Sequence, residues 1–282
     1  MKTTIIGLGL IGGSMALDLR KDGLATELLG VDLNPDHARK AVELGIVDQV
    51  LTEEKALAVA DLIVLAIPVN AACALLSSVL DGVKKGAVVI DASSTKRTIC
   101  KSVAHHPNRK QLVAAHPIAG TENSGPIAAF EGLFRGKTNI ICDKDESAPE
   151  ALAVAKKVFD TLGMNTIFMD ADEHDRHVAY VSHLSHVSSF LLGQTVLDIE
   201  KDEKNIFDLA GSGFASTVRL AKSSPDMWAP IFEQNSEYLS QALLEYIMHL
   251  QKFHYHLVKH DTKELHRIMT KANEIRRVLE NK

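Results

Sequence analysis

The segment Gly7-Leu8-Gly9-Leu10-Ile11-Gly12 limits what this chain can fold into more than any other. The string is G-x-G-x-x-G, and its neighbours give it meaning. A short apolar run from Thr3 to Leu8 leads into it, and a helical pattern from Ser14 to Lys21 follows. A second strand, Leu28 to Val31, then ends at an acidic residue, Asp32, 20 positions beyond Gly12. Strand, glycine turn, helix and strand make a βαβ unit, and such units assemble into parallel sheets with helices on both faces. Gly7 permits the tight turn, Gly9 lets the backbone approach a pyrophosphate, and Gly12 allows close helix–strand packing. The helix start, including Leu10 and Ile11, offers unpaired N–H groups and a partial positive charge to phosphates. Asp32 suits the two ribose hydroxyls of NAD and would repel a 2′-phosphate, and Leu33-Asn34-Pro35 supplies no arginine to hold one. NAD is therefore the expected cofactor.

The alternation continues. The pattern predicts helices over Pro35–Leu44, Ala71–Leu80, Thr95–Ala104 and Glu150–Leu162. Strands are predicted over Leu62–Ile67, Ala87–Asp91, Gln111–Ala115, Lys137–Cys142 and Asn165–Met169. Ligands of a doubly wound sheet sit over the carboxyl ends of its strands. Ile67-Pro68-Val69, Ala92-Ser93-Ser94-Thr95-Lys96 and the run His116-Pro117-Ile118-Ala119-Gly120-Thr121-Glu122-Asn123-Ser124-Gly125 all fall there. Of these, Pro68 is expected beside the cofactor. His116 is either a catalytic imidazole or an incidental histidine in a surface loop.

After Asp170 the strand signals stop and helical periodicity runs to the C-terminus. The division expected is a Rossmann-type domain over 1–170 and an all-α domain over 171–282. Leu239, Leu243, Tyr246, Leu250, Phe253 and Leu257 form an apolar seam at heptad spacing, repeated by Leu265, Met269, Ala272, Ile275 and Leu279. Seams of this length suit a helix-mediated homodimer. His174, His177, His183 and His186 crowd one segment, with His177 read as an exposed helix residue. His183 and His186, three apart on one helix face, are either metal ligands or hydrogen-bonding and substrate-binding groups, and the second reading is preferred because no carboxylate or thiol stands at ligand spacing. Gly211 to Arg219 is a second small-residue turn. Arg219 either snorkels to water or clamps a carboxylate with its planar fork.

A net charge of −5 and a pI near 6.2 argue against nucleic acid as a partner. Cys73, Cys100 and Cys142 are odd in number and widely spaced, as expected of reduced thiols in the cytoplasm. Met1-Lys2 runs straight into a predicted strand, so no leader is expected, and no apolar run approaches the ~18 residues of a membrane span.

In sum, the Gly7–Gly13 fingerprint, Asp91–Lys96, His116–Gly125, His174-Asp175, Ser182-His183-Leu184-Ser185-His186 and Gly211–Arg219 fall in the order seen in prephenate dehydrogenases. The chain resembles that family, which includes arogenate and cyclohexadienyl dehydrogenases of tyrosine biosynthesis, over nearly its whole length. The resemblance implies NAD-dependent oxidative decarboxylation of prephenate to 4-hydroxyphenylpyruvate in a cytoplasmic homodimer. By motif match, His116 resembles the histidine that accepts the proton of the ring hydroxyl, and Ser94 the serine that binds that hydroxyl and orients the histidine. Arg219 resembles a substrate-carboxylate arginine, His186 and His183 the paired histidines of the substrate helix, and Thr121 and Glu122 residues of the cleft. His174 matches a family histidine. Ser185 replaces a proline common in the family, and Ala215 stands near a position that is basic in some members. Members selective for arogenate tend to lack the second paired histidine, so His186 favours prephenate over arogenate or dual specificity. Neither a chorismate mutase module nor a βαββαβ regulatory domain is expected. A β-hydroxyacid dehydrogenase would need a lysine on the first long helix after the sheet, and Asp172–Gln194 has none. A nicotinamide-sensing module without turnover is the alternative from another class.

Overall fold

The structure, a computed structural model, describes residues 1–201 and 205–280. One eight-stranded sheet organises the N-terminal half, in the order β3-β2-β1-β4-β5-β6-β7-β8. Its strands are β1 (Lys2–Ile6), β2 (Glu27–Val31), β3 (Gln49–Val50), β4 (Leu62–Leu65), β5 (Val88–Asp91), β6 (Leu112–Pro117), β7 (Thr138–Cys142) and β8 (Asn165–Met169). Between them run α1 (Leu10–Lys21), α2 (Pro35–Glu43), α3 (Glu53–Val59), α4 (Val69–Gly82), α5 (Arg97–Ser102) and α6 (Pro149–Thr161). The central strand β4 is Leu-Ile-Val-Leu and buried throughout, as a strand covered on both faces must be. Alternate residues serve opposite faces: Leu62 and Val64 join one core cluster with Met15 and Phe159, whereas Ile63 and Leu65 join another with Leu76 and Val79.

Two features depart from the expected parallel alternation. β3 and α3 were not anticipated; β3 is only two residues long and carries no periodicity to read. β7 is antiparallel to β6. An antiparallel partner needs no crossover helix. The segment 118–137 therefore stays on the edge where β6 ends, and its Phe130 and Gly132 N–H groups are held by Ser14 and Asp18 of α1 at 3.1 and 2.8 Å.

The glycine turn behaves as its sequence demands. Gly7 has φ +95°, and a Cβ there would lie 2.4 Å from the Ala66 carbonyl oxygen. A Cβ at Gly12 would lie 2.1 Å from the Gly7 oxygen, whereas one at Gly9 would meet no described atom within 4 Å. α1 begins at Leu10, four residues before the amphipathic pattern, with Gly9 as its N-cap and no side chain capping it.

Beyond the sheet come α7 (Ala171–Val178), a π-helical turn (Ala179–His183), α8 (Leu184–Glu200), α9 (Ser212–Thr217) and α10 (Pro225–Gln234). They count with the sheet in one compact unit, Met1–Ser236; the other is Glu237–Lys282. That second unit holds α11 (Ser236–Val258, entered at Glu237), α12 (Thr262–Ala272) and α13 (Arg276–Leu279). Its seam residues Leu250, Phe253, Leu257, Met269 and Ile275 are open to solvent and Leu265 is half-buried; the Leu279 side chain lies outside the described residues. No described helix is long and apolar enough to cross a membrane.

Two substitutions separate packing from ligand approach in the turn. Gly12→Ala should lower stability by about 2 kcal/mol or more, because the methyl meets backbone. Gly9→Ala should leave the melting midpoint unchanged and weaken dinucleotide binding. Thermal denaturation and calorimetric titration of both variants check this; equal destabilisation by the two would refute it.

Candidate active site

The glycine turn, β2 and β4 build one half of the site. The Gly7 N–H reaches the Val31 carbonyl at 2.8 Å, and the Leu8 N–H reaches an Asp32 carboxylate oxygen at 2.8 Å. The other Asp32 oxygen accepts the Asn34 N–H at 2.8 Å. Asp32 thus ties the turn to the β2–α2 corner, a structural duty that its position in the motif does not reveal. His37 lies 4.0 Å from it, and Leu33 is almost fully exposed beside it. Pro68 stands exposed at the start of α4, in the turn after β4 whose Ala66 and Ile67 press on Gly7. Leu10 and Ile11 are half-buried at the start of α1. Free N–H groups and a carboxylate one strand away are the donor and acceptor set for a dinucleotide's phosphates and ribose.

The other half gathers at the ends of β5 and β6. His116, half-buried near the end of β6, makes a hydrogen bond of 2.8 Å from Nδ1 to Nε2 of His174. His174 Nδ1 lies 2.7 Å from Asp175 Oδ1. Both are buried on α7, whose N-cap is the Asp170 side chain. The Asp175 carboxylate also accepts the Lys96 N–H at 2.8 Å and the Arg97 N–H at 2.9 Å, so it holds the first turn of α5. Beneath these residues Lys96 is wholly buried. Its ammonium donates to Asp91, to Ser93 Oγ at 3.1 Å and to the Ala115 carbonyl at 2.7 Å, which locks the ends of β5 and β6 together. A buried ammonium needs such a set of acceptors.

Ser94 is half-buried in the loop that Asp91, Lys96 and Asp175 hold. Among the described residues, the hydrogen bond at His116 runs to His174 and not to Ser94.

Asn235, buried after α10, joins the helices to this cluster. Its amide donates to the Asp175 carbonyl at 2.7 Å and to His183 Nδ1 at 3.1 Å. His183 ends the π-helical turn, the kind of local widening that aims a side chain out of register. It packs edge-on to Trp228, on which His186 stacks at 3.5 Å between ring centres. Nδ1 of His186 donates to the Ser182 carbonyl at 3.0 Å. Arg219 is exposed at the head of a 3₁₀ turn that Ser189 of α8 secures, by accepting the Ala221 N–H at 3.0 Å.

Burial drives the His116 imidazole well below its ordinary range, and the nearby His174, Lys96 and His183 charges push the same way. Burial lowers His174 against the pull of Asp175. His183 is pushed down to about 4, again by burial against Asp175. Burial lowers His186, opposed by the Ser182 carbonyl and reinforced by the Arg219 charge. Thr121 and Glu122 are exposed in the loop after β6, where Thr121 Oγ1 accepts the Asn123 N–H at 3.2 Å. Among the described residues no hydrogen bond or ion pair ties those two to the histidines. His177 is exposed, and no group of three His, Cys, Asp or Glu side chains among the described residues is arranged to hold a metal.

A glycine-turn nucleotide site beside a buried, neutral histidine cluster defines an α/β protein of the dehydrogenase type. Residues 15–168 match the family model for the prephenate dehydrogenase nucleotide-binding domain, and residues 170–271 match that for the prephenate dehydrogenase dimerization domain. The chain belongs to the prephenate dehydrogenase family. It is 29% identical to the prephenate dehydrogenase of Bacillus subtilis, over 98% of this chain and 76% of that protein. The crystal structure of prephenate dehydrogenase from A. aeolicus in complex with hydroxyphenyl propionate and NAD+ is 30% identical, covers 99% of this chain and 98% of that one, and has a TM-score of 0.89. Synechocystis arogenate dehydrogenase is also 30% identical, over 99% and 100% of the two chains, with a TM-score of 0.79. A 3-hydroxyisobutyrate dehydrogenase from Mycobacterium tuberculosis, 16% identical at a TM-score of 0.51, shares the fold alone.

The neutral histidines set a pH dependence of stability. An unfolded imidazole binds its proton near 6.5, but His183 in the folded protein does so only at about 4. Between those values the unfolded chain holds more protons, so stability is fully present above 6.5 and falls as the pH drops through the window. His183 alone accounts for a loss of about 3 kcal/mol by pH 4. Urea denaturation from pH 7 to 4 should show that decline, and His183→Asn should flatten it. A pH-independent midpoint would contradict the neutral cluster.

Proposed function

We propose that the chain is an NAD-dependent prephenate dehydrogenase that converts prephenate to 4-hydroxyphenylpyruvate and CO2 with formation of NADH. The observation that carries this reading is the His116 imidazole at a strand end of the nucleotide-binding sheet, bonded among the described residues through Nδ1 to His174 and held by burial below its ordinary range. Asp32 would hold the ribose hydroxyls, and the N–H groups at the start of α1, opened by Gly9 and followed by Leu10 and Ile11, would hold the pyrophosphate. Pro68 would border the nicotinamide end. The cofactor, when bound, supplies the hydride acceptor.

The chain's own residues supply positioning and proton handling. As a hydride leaves the ring carbon that bears the hydroxyl, the ring carboxylate departs as CO2 and the ring becomes aromatic. His116 takes the hydroxyl proton while the C–O bond gains double-bond character, and returns it to the phenolic oxygen. Ser94 bonds the same hydroxyl. Arg219 engages a carboxylate of the dianion through its fork, with His186 beside it and His183 behind. Thr121 and Glu122 close over the cleft from the β6–β7 loop. His186, stacked on Trp228, favours prephenate over arogenate.

The functional division falls at Asp170, with 1–170 binding nucleotide and 171–282 binding substrate and pairing with a second copy. The exposed seam of Leu250, Phe253, Leu257 and Met269 supports such a homodimer, since apolar patches of that extent rarely stay in water. The three cysteines are free, and burial pushes the Cys100 thiol up to about 12, consistent with a reduced, cytoplasmic protein. His116→Asn should lower kcat on the order of 10²- to 10⁴-fold while NAD affinity survives. Steady-state kinetics and NAD titration check this, and full activity in the variant would refute the role.

A further inference from the structure

Asp175 is surrounded by donors. Oδ1 takes the Lys96 N–H and the His174 ring, and Oδ2 takes the Arg97 N–H. Backbone N–H groups can only donate, so a carboxylate so placed accepts on both oxygens. His174 must therefore carry its proton on Nδ1. Burial keeps His174 neutral, so its other nitrogen, Nε2, is bare and accepts. The group that meets it at 2.8 Å is His116 Nδ1, which must then be the donor. A neutral His116 with its proton on Nδ1 has its lone pair on Nε2.

We propose that His174 and Asp175 are positioning residues which, through the chain Asp175–His174–His116, fix the His116 tautomer with Nε2 free to take a proton. The inference rests on the reading of His116 as the base and adds how that base is prepared. The chain does more than orient a ring. When His116 takes a proton on Nε2 it becomes a cation, its Nδ1–H still donates to His174, and the Asp175 carboxylate stabilises the charge through the intervening ring. The charged and titratable groups facing the pair are Lys96 and Asp91 from the β5 end and His183 from the π-helical turn. Lys96 spends its ammonium on Asp91, Ser93 Oγ and the Ala115 carbonyl, and Asn235 occupies His183 Nδ1, while His174 Nε2 is met by His116 Nδ1.

A purely structural role is the competing account, since Asp175 also holds the first turn of α5. The two accounts differ at residue 174. In His174→Gln the amide oxygen can stand where Nε2 stood and accept from His116, so the tautomer is preserved. In His174→Phe no acceptor remains. The expected result is that the Phe variant loses on the order of 10²-fold in kcat with the KM for NAD unchanged, and that the Gln variant recovers most of that loss. Gln and Phe variants of equal activity would overturn the proposal.

Because the Phe variant could fold poorly, a second measurement is made on the unaltered protein. Two-bond ¹H–¹⁵N correlation of the histidine rings should show His116 and His174 both protonated on Nδ1 and bare on Nε2. A proton on Nε2 of His116 would overturn the proposal even if His116→Asn is inactive. Conversely, the stated tautomers together with a fully active His116→Asn would sink the base reading and leave the tautomer assignment standing.

Discussion

The Asp175 carboxylate is the interaction on which the site depends. It is buried, it closes the first turn of α5 through two backbone N–H groups, and it anchors His174. Its own carbonyl is held by Asn235, which also holds His183. One acidic residue on the first helix after the sheet thus fixes the loop bearing Ser94, the imidazole that meets His116, and the helical wall that bears the paired histidines. A buried charge is costly unless fully bonded. Here the bonds that satisfy it come from the start of α5 and from the neighbouring ring on α7, so folding that pairs the charge also assembles the site.

Lys96 plays the matching part on the other side of the β5 loop. Its ammonium, with no exposure to water, is neutralised by Asp91 and bonded to the Ala115 carbonyl one residue before His116. Asp91 accepts the Ser93 N–H and Asp175 accepts the Lys96 and Arg97 N–H groups, so the loop backbone is held at both ends. The loop therefore presents Ser94 from a rigid frame, which positioning catalysis requires. Electrostatically the cluster is arranged to keep imidazoles neutral: burial dominates at His116, His174, His183 and His186 alike.

Much of this was legible in the sequence, for identifiable reasons. The glycine turn and the strands from β4 onward are local patterns: an apolar run of four to six residues between helical periodicities needs no distant partner to be read. Asn165–Met169 was located to the residue. What escaped depends on partners far along the chain. β3 has two residues and exists because β2 lies beside it. The antiparallel turn of β7 follows from where the segment 118–137 packs, which periodicity cannot show. Asp91, Lys96 and Asn235 look like ordinary polar residues, and their importance comes from burial and from bonds to groups up to 79 positions away. His174-Asp175 was visible as a motif, but its bond to His116 spans 58 positions. The amphipathic pattern placed the start of α1 at Ser14 because Leu10 to Gly13 are uniformly apolar or small, although they are helical.

The family, the nucleotide turn and the histidine cluster support the proposed chemistry: loss of a hydride and of CO2 from an anionic cyclohexadienol. The most direct measurement is turnover itself, followed as NADH formation when the purified protein is given NAD with prephenate and, separately, with arogenate. The expected result is NADH formed in step with CO2 and 4-hydroxyphenylpyruvate from prephenate, and slower turnover of arogenate. No NADH with either substrate would contradict the account and favour a protein that binds the nucleotide without turning it over.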